Sequence, residues 1–320
     1  MKILFTIPTE KWVEERFRSI APEADFHFAA AEDIPDEELQ SAEIIIGNVP
    51  PSRIKASPKL AFYQTNSAGS NNYTVPGVLA DSTILCNATG SYGVALAEHM
   101  LAQLLLCVKK LDLYLANQKE RIWRDEGEVR GLYASKTLIV GAGDIGTEFG
   151  KRMAAFGSRV SGIRRHKTEA PVWMEKSGSL EDLDAFLAEA DYVACALPET
   201  PETRRLFTRE RLARMKKGAI LLNIGRGTLI DEEAVVEAAE SGRLGAYITD
   251  VTDPEPLPEE SPLWICPNVY ITPHISGNYH LRETYLRVID LAARNLEAYL
   301  KGGKLENIVD RETGYRRFEG

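Results

Sequence analysis

Three side chains in the last third of this chain are of types and spacings that could do chemistry together. Arg226 lies between two glycines in LLNIGRGTLIDEEA, Glu255 between two prolines in ITDVTDPEPLPEESPLW, and His274 directly after a proline in NVYITPHISGNYH. They are separated by 29 and 19 residues, and each follows an apolar run that reads as a buried strand. An arginine fork can clamp a carboxylate together with an adjacent carbonyl oxygen. A carboxylate beside an imidazole favours its protonated form, and a protonated imidazole can donate to a carbonyl oxygen while a hydride arrives from a nicotinamide. Taken singly, the arginine reads as a surface ion pair, the glutamate as a solvated loop residue and the histidine as structural. What favours the chemical reading is their position after three successive strands, downstream of a dinucleotide-type turn, because open α/β sheets bind ligands beyond the carboxyl ends of their strands.

That turn lies in KTLIVGAGDIGTEFGKRM, where Gly141, Gly143 and Gly146 form G-x-G-x-x-G with Asp144 and Ile145 inside it. The pattern is weak alone, but here it follows a strand and opens a helix. The first glycine permits the tight turn, the second lets the backbone approach a pyrophosphate, and the third lets helix and strand pack closely. The helix start then offers free N–H groups and a positive dipole end to phosphate. Asp144 suits that dipole end without adding to phosphate binding. At the end of the next strand an NAD-preferring site carries Asp or Glu for the ribose hydroxyls. This chain reads GIRRHKTEA, with Arg164, Arg165, His166 and Lys167 and no carboxylate before Glu169. Guanidinium groups can grip a 2′-phosphate in bidentate fashion. The reading favours NADP(H) over NAD(H), against the alternative of a solvated basic loop that accepts either.

The elements that must hold these residues alternate between strand and helix. KILFTI, DFHFAA, EIIIG, LAFYQT and TILCN read as five strands in the first ninety residues, and a second alternation of about six strands begins at Lys136. Such alternation with short connections predicts parallel sheets covered by helices, so the fold class is α/β with two doubly wound domains. Between them VALAEHMLAQLLLCVKKLDLYLANQ reads as one long helix over 94–118, apolar around so much of its circumference that more than one neighbour must cover it. A helix over about 281–301 ends at Gly302–Gly303, and the charged tail RETGYRRFEG reads as a solvated surface segment.

Composition narrows the partners. The 320 residues allow about two domains. With 38 basic and 47 acidic residues the net charge is −9, which disfavours nucleic acid and anionic membranes. No apolar run is long enough to span a bilayer, and the N-terminus reads as a first strand rather than a signal peptide. Four scattered cysteines without a CxxC pair suit free thiols in a reducing cytoplasm and argue against a zinc site.

With these residues in view, the chain resembles the D-isomer-specific 2-hydroxyacid dehydrogenases, the group that includes phosphoglycerate dehydrogenase and glyoxylate/hydroxypyruvate reductase. The blocks that carry the resemblance are VGAGDIG, ALPETPETRRLFTRERLARMKKGAILLNIGRGTLIDEEAVVEAAESGRLGAYITDV, DPEPLPEESPLW and PNVYITPHISG, covering most of 137–277; QTNSAGSNN and ALAEH match more loosely. The resemblance implies reduction of 2-oxo acids to D-2-hydroxy acids, with Arg226 orienting substrate, His274 as acid/base and Glu255 as its partner. It implies amides of Ser67, Ala68 and Gly69 around the substrate carboxylate. Leu197 and Pro198 would line the cofactor cleft with Thr203, Ile224, Gly225, Ser276 and Gly277, and Asp250 would sit near the nicotinamide amide. It further implies a Rossmann coenzyme domain, 97–281, inserted in a flavodoxin-like substrate domain of 1–96 plus 282–320, a homodimer through the coenzyme domains, and no room for an appended regulatory domain. Gly225 stands where the family often has Ala, and Thr252 where an aromatic is frequent. Trp264 and Tyr73 either reach the substrate or simply pack, and His99 reads as structural. Two further readings share this fold. A nucleotide-sensing binding protein is one, since a transcriptional corepressor has this fold; the intact Arg226–Glu255–His274 set disfavours it. Formate dehydrogenase shares the architecture too, but a formate site has no need of Glu255.

Overall fold

A computed structural model describes residues 1–54, 56–165 and 169–317. The chain divides into two compact units, one of Met1–Tyr92 with Tyr279–Gly320 and the other of Gly93–Asn278.

The first unit holds a five-stranded parallel sheet of β1 (Lys2–Phe5), β2 (Asp25–Phe28), β3 (Ile44–Ile46), β4 (Phe62–Gln64) and β5 (Ile84–Cys86), in the order β2-β1-β3-β4-β5. Its central strands are continuous apolar runs because helices cover both faces; Ile44, Ile45 and Ile46 are all fully buried. The helix Arg282–Lys301 joins this unit, stacking Tyr299 on Phe62 and burying Val288, Ile289 and Leu296. Buried Asn295 fixes its register: its amide donates to Gln64 Oε1 (2.7 Å) and the Glu306 carbonyl (3.0 Å), and its Oδ1 accepts from the Glu306 amide (2.8 Å). Gly302, in the left-handed region at φ 66°, closes the helix.

The second unit holds a seven-stranded parallel sheet: β6 (Lys136–Val140), β7 (Arg159–Ile163), β8 (Lys176–Gly178), β9 (Tyr192–Cys195), β10 (Ala219–Asn223), β11 (Leu244–Thr249) and β12 (Val269–Ile271), ordered β12-β11-β10-β9-β6-β7-β8. The strand order reverses between β6 and β9, so loops leaving these strands splay apart there, as at a doubly wound binding crevice. The two-domain α/β expectation holds.

Three local expectations are corrected. The sheet has seven strands rather than about six; β8 is a short polar edge strand, Lys-Ser-Gly, with no apolar run to announce it. The expected 94–118 helix is two helices, Gly93–Val108 and Leu111–Lys119, broken where Lys110 takes φ 53°. Apolar spacing runs on across the break, yet Leu111, Leu113 and Leu115 beyond it are 43–53% exposed, so the stripe there is not a core face. The charged tail is not simply solvated either. Val309–Asp310 pairs antiparallel with Tyr315–Arg316, and Arg311 donates to the carbonyls of Leu79, Ala80 and Thr83.

Among the described residues no helix is long and apolar enough to cross a membrane, and no group of three or more His, Cys, Asp or Glu side chains is arranged to hold a metal.

Candidate active site

In the second unit, β10, β11 and β12 are neighbours, so the loops that follow them leave the sheet side by side. Two of the three candidate side chains meet directly. His274 Nδ1 lies 2.7 Å from Glu255 Oε2. A carboxylate only accepts, so Nδ1 carries the proton and Nε2 is the atom left to exchange one. Both side chains are partly exposed, at 49% and 39%, so the pair is reachable from solvent. The other oxygen of Glu255 accepts from the Thr252 amide at 3.1 Å, which fixes the carboxylate from behind.

Arg226 begins the loop after β10. Asn223 Nδ2 donates to its carbonyl (3.0 Å), and its guanidinium donates to the Gly225 carbonyl (2.7 Å). The glycines on either side are required by packing. A Cβ on Gly227 would stand 2.1 Å from the Thr252 carbonyl carbon and 2.6 Å from the Asp253 amide, so the Arg226 loop presses on the backbone that carries Glu255. A Cβ on Gly225 would stand 2.5 Å from the Leu197 carbonyl oxygen, which accounts for glycine rather than alanine there. Thr252 turns inward, its hydroxyl donating to the Pro254 carbonyl at 2.9 Å.

The loop carrying His274 is organised by Asp250, a buried carboxylate at the end of β11. Its Oδ1 accepts from Thr272 Oγ1 (2.5 Å) and the Ile275 amide (3.1 Å); its Oδ2 accepts from the Ser276 amide (3.1 Å) and the Ser276 hydroxyl. Those donors fill the carboxylate's lone-pair positions. His274 itself has φ 50°, a strained conformation for a residue with a side chain. Its amide is held there by the Asp250 carbonyl (2.8 Å) and the Thr272 carbonyl (3.0 Å). His99, on the helix Gly93–Val108, reaches Thr272 Oγ1 at 2.9 Å and stands 3.8 Å from Asp250 Oδ1. His99 and Thr272 are thus supports of the histidine loop. Sequence spacing does not reveal this, because 173 residues separate the two.

The glycine-rich turn has the shape its sequence implies. Gly141 takes φ 102°, and a Cβ there would lie 2.8 Å from the Ala196 carbonyl, so only glycine fits. Gly143 precedes the helix Asp144–Ala155 with no side-chain cap, and the first N–H groups of any helix lack an intrahelical acceptor. Ile145 is partly buried in that turn. The Asp144 carboxylate faces Gly93, where an added Cβ would come within 2.7 Å of it. A bare backbone cradle opening on a helix start suits a pyrophosphate. Beyond β9, Leu197 is partly buried, and Thr203 Oγ1 donates to the Pro198 carbonyl (2.8 Å) while accepting from the Thr200 amide (2.8 Å), closing that loop on itself. Ile224 is buried, its amide bonded to the Cys195 carbonyl. Gly277 follows Ser276 at the end of the histidine loop. At the end of β7, Arg164 is half-buried with its amide on the Gly178 carbonyl, and Arg165 is exposed. His166 and Lys167 lie outside the described residues.

In the first unit, the Ser67 carbonyl accepts from the Ala88 amide (2.9 Å) and the Ala68 carbonyl from Asn87 Nδ2 (2.9 Å). In a trans peptide the N–H points opposite its carbonyl, so the Ala68 and Gly69 amides face the other way. Asn48 and Asn66, missed in the sequence, brace this loop: each side-chain oxygen accepts from the other's amide, at 3.2 and 2.6 Å. Of the two undecided aromatics, Tyr73 is buried against Tyr63 with its hydroxyl on the Val49 carbonyl, so it packs. Trp264 is half exposed, with its indole N–H on the Pro258 carbonyl.

Because Gly227 has no room for a side chain, Gly227→Ala must push the Thr252–Glu255 backbone away. The expected cost is about 1–3 kcal/mol in urea unfolding, accompanied by loss of the His274–Glu255 contact in a crystal structure of the variant.

Comparison with known proteins identifies the family. Residues 101–276 match the family described as "D-isomer specific 2-hydroxyacid dehydrogenase, NAD binding domain". Glyoxylate/hydroxypyruvate reductase B of Pectobacterium atrosepticum is 35% identical over 284 residues, which is 85% of this chain and 87% of that protein. A D-isomer specific 2-hydroxyacid dehydrogenase family protein from Aeromonas salmonicida superposes with a TM-score of 0.86 at 30% identity, over 97% of this chain and 99% of its own. A D-isomer specific 2-hydroxyacid dehydrogenase from Xanthobacter autotrophicus Py2, solved with NADPH and MES, has a TM-score of 0.82 at 27% identity, over 98% and 99%. This chain therefore belongs to the D-isomer specific 2-hydroxyacid dehydrogenase family and is a nicotinamide-dependent oxidoreductase.

Proposed function

We propose that this protein reduces a small 2-oxo acid to the corresponding D-2-hydroxy acid, with His274 as the proton donor. The observation that carries this reading is the 2.7 Å contact between His274 Nδ1 and Glu255 Oε2. Glu255 holds the imidazole in the tautomer that leaves Nε2 to the substrate and stabilises its positive charge. When bound, the reduced nicotinamide supplies the hydride that reaches the carbonyl carbon. His274 Nε2 gives its proton to the carbonyl oxygen as charge builds there, and Arg226 orients the neighbouring carboxylate through its paired N–H groups. We assign the loop Ser67–Gly69 to carboxylate recognition, its Ala68 and Gly69 amides being turned away from the contacts made by their carbonyls. The unit holding that loop is then the substrate unit, and Gly93–Asn278 the coenzyme unit.

For the cofactor, we assign the pyrophosphate to the turn Gly141–Gly146, with Leu197, Pro198, Thr203, Ile224, Gly225, Ser276 and Gly277 around the rest. Asp250 acts through the loop it organises. Arg164 and Arg165 favour NADP(H), since two guanidinium groups follow β7 where a carboxylate would repel a 2′-phosphate; NAD(H) remains the alternative. The NADPH bound to the Xanthobacter relative supports that preference. The exposed Leu111, Leu113, Leu115 and Trp123 fit a homodimer through the coenzyme unit. A cytoplasmic location fits the free thiols. Within the family, Glu255 speaks for a 2-oxo acid rather than formate. The substrate class is glyoxylate- or hydroxypyruvate-like by analogy with the Pectobacterium relative, with phosphoglycerate dehydrogenase chemistry as the alternative.

His274→Ala should lower turnover on a panel of 2-oxo acids by roughly 10²–10⁴-fold, with cofactor affinity unchanged in a fluorescence titration; full turnover in the variant would reject the proton-donor role. Arg164→Ala combined with Arg165→Ala should weaken NADPH binding by about tenfold or more while sparing NADH. An unchanged ratio of the two dissociation constants would reject the phosphate grip.

A further inference from the structure

Behind the His274–Glu255 pair stands a carboxylate that the proposed chemistry does not use. Glu232 opens the helix Glu232–Glu240, and its Oε1 accepts from the Asp253 amide at 3.1 Å. The preceding residue, Thr252, gives its own amide to Glu255 Oε1 at 3.1 Å, and Glu255 Oε2 meets His274. Glu232, the Thr252–Glu255 loop, Glu255 and His274 thus form one chain of contacts. Gly227 presses on the same loop backbone from the Arg226 side.

We propose that Glu232 is a positioning residue for this reaction: it holds the loop that presents Glu255 to His274. This rests on the reading of His274 as the proton donor. Burial first, then the negative charges of Asp253 and Glu255, push the Glu232 carboxyl up to about 7, while the Asp253 amide opposes that rise. Among the described residues, Arg209 and Arg204 on neighbouring segments are both engaged by other carboxylates. From β11 Glu232 is faced by Tyr247, a neutral phenol held in its protonated form by burial. Arg209, on the helix packed alongside, is paired with Glu237 one turn on. The short turn Pro262–Trp264 brings no ionisable group. Arg204 stands 3.9 Å from the Asp253 carboxylate and is engaged by Glu199 at 2.7 Å.

On the stability side, a carboxyl whose folded value is raised contributes stability that is fully present below the unfolded value of about 4.5 and lost as pH rises through the folded value of about 7.

Two variants separate holding from ionising. Glu232→Gln keeps an oxygen for the Asp253 amide but cannot ionise; Glu232→Ala loses both. In Glu232→Gln, which keeps the oxygen that holds the Asp253 amide, kcat for 2-oxo acid reduction should stay within about twofold of wild type. Glu232→Ala should lose about tenfold in kcat across the range, with KM for the nicotinamide cofactor unchanged. Wild-type kcat in Glu232→Ala, or the same loss in Glu232→Gln as in Glu232→Ala, would overturn the proposal. A second readout needs no activity: Tm of Glu232→Gln minus Tm of wild type should be small at pH 5 and grow to several degrees by pH 8. A difference independent of pH would overturn the ionisation whatever the enzyme turns over. Absence of turnover in the wild type on every 2-oxo acid would instead defeat the functional reading.

Discussion

The contact between His274 Nδ1 and Glu255 Oε2 needs two loops to be held still, and the hydrogen bonds around Thr252 and Asp250 serve that end. An imidazole on a loop has two tautomers and a rotatable ring, so it is a poor proton donor until something selects one arrangement. Here Glu255 selects it. Glu255 is fixed in turn by the Thr252 amide, and the backbone of that loop is wedged against Gly227. On the other side, the buried Asp250 carboxylate gathers the donors of Thr272, Ile275 and Ser276, and its carbonyl holds His274 in a left-handed conformation that the residue would not adopt alone. Fixing the shell around a proton donor is what turns a suitable residue type into a usable one.

The sheet explains why residues so far apart in sequence can cooperate. Parallel strands all end on one edge, and β10, β11 and β12 are adjacent, so the loops after them are neighbours wherever the intervening helices run. The chemistry is therefore assembled by strand order, and the glycine-rich turn after β6 uses the same edge. Each loop carries a different part of the proposed site: the glycine-rich turn, arginine, glutamate, histidine.

Much of this was legible before any coordinates. The runs KILFTI and EIIIG contain β1 and β3 because strands buried on both faces announce themselves as apolar blocks between turn residues. Gly141 announced itself because the turn admits no Cβ. The edge strand Lys176–Gly178 could not be read, since an edge strand of three small or polar residues has no pattern. The break at Lys110 could not either, because heptad-like spacing continues across it. Neither could the supports of the site. His99, Thr272 and Glu232 act through contacts spanning tens to hundreds of residues, and their residue types are unremarkable in a helix or strand end. Sequence spacing located the groups that carry charge; it did not locate the groups that hold them in place.

The central claim is that His274 Nε2 faces the carbonyl oxygen of a bound 2-oxo acid while Nδ1 stays on Glu255. A crystal structure of the protein with nicotinamide cofactor and oxamate, an unreactive 2-oxo acid mimic, tests it most directly. The account predicts Nε2 at about 2.6–3.2 Å from the oxamate carbonyl oxygen, with the Arg226 guanidinium on the carboxylate. Oxamate bound with the imidazole turned away and another donor at its carbonyl would contradict it.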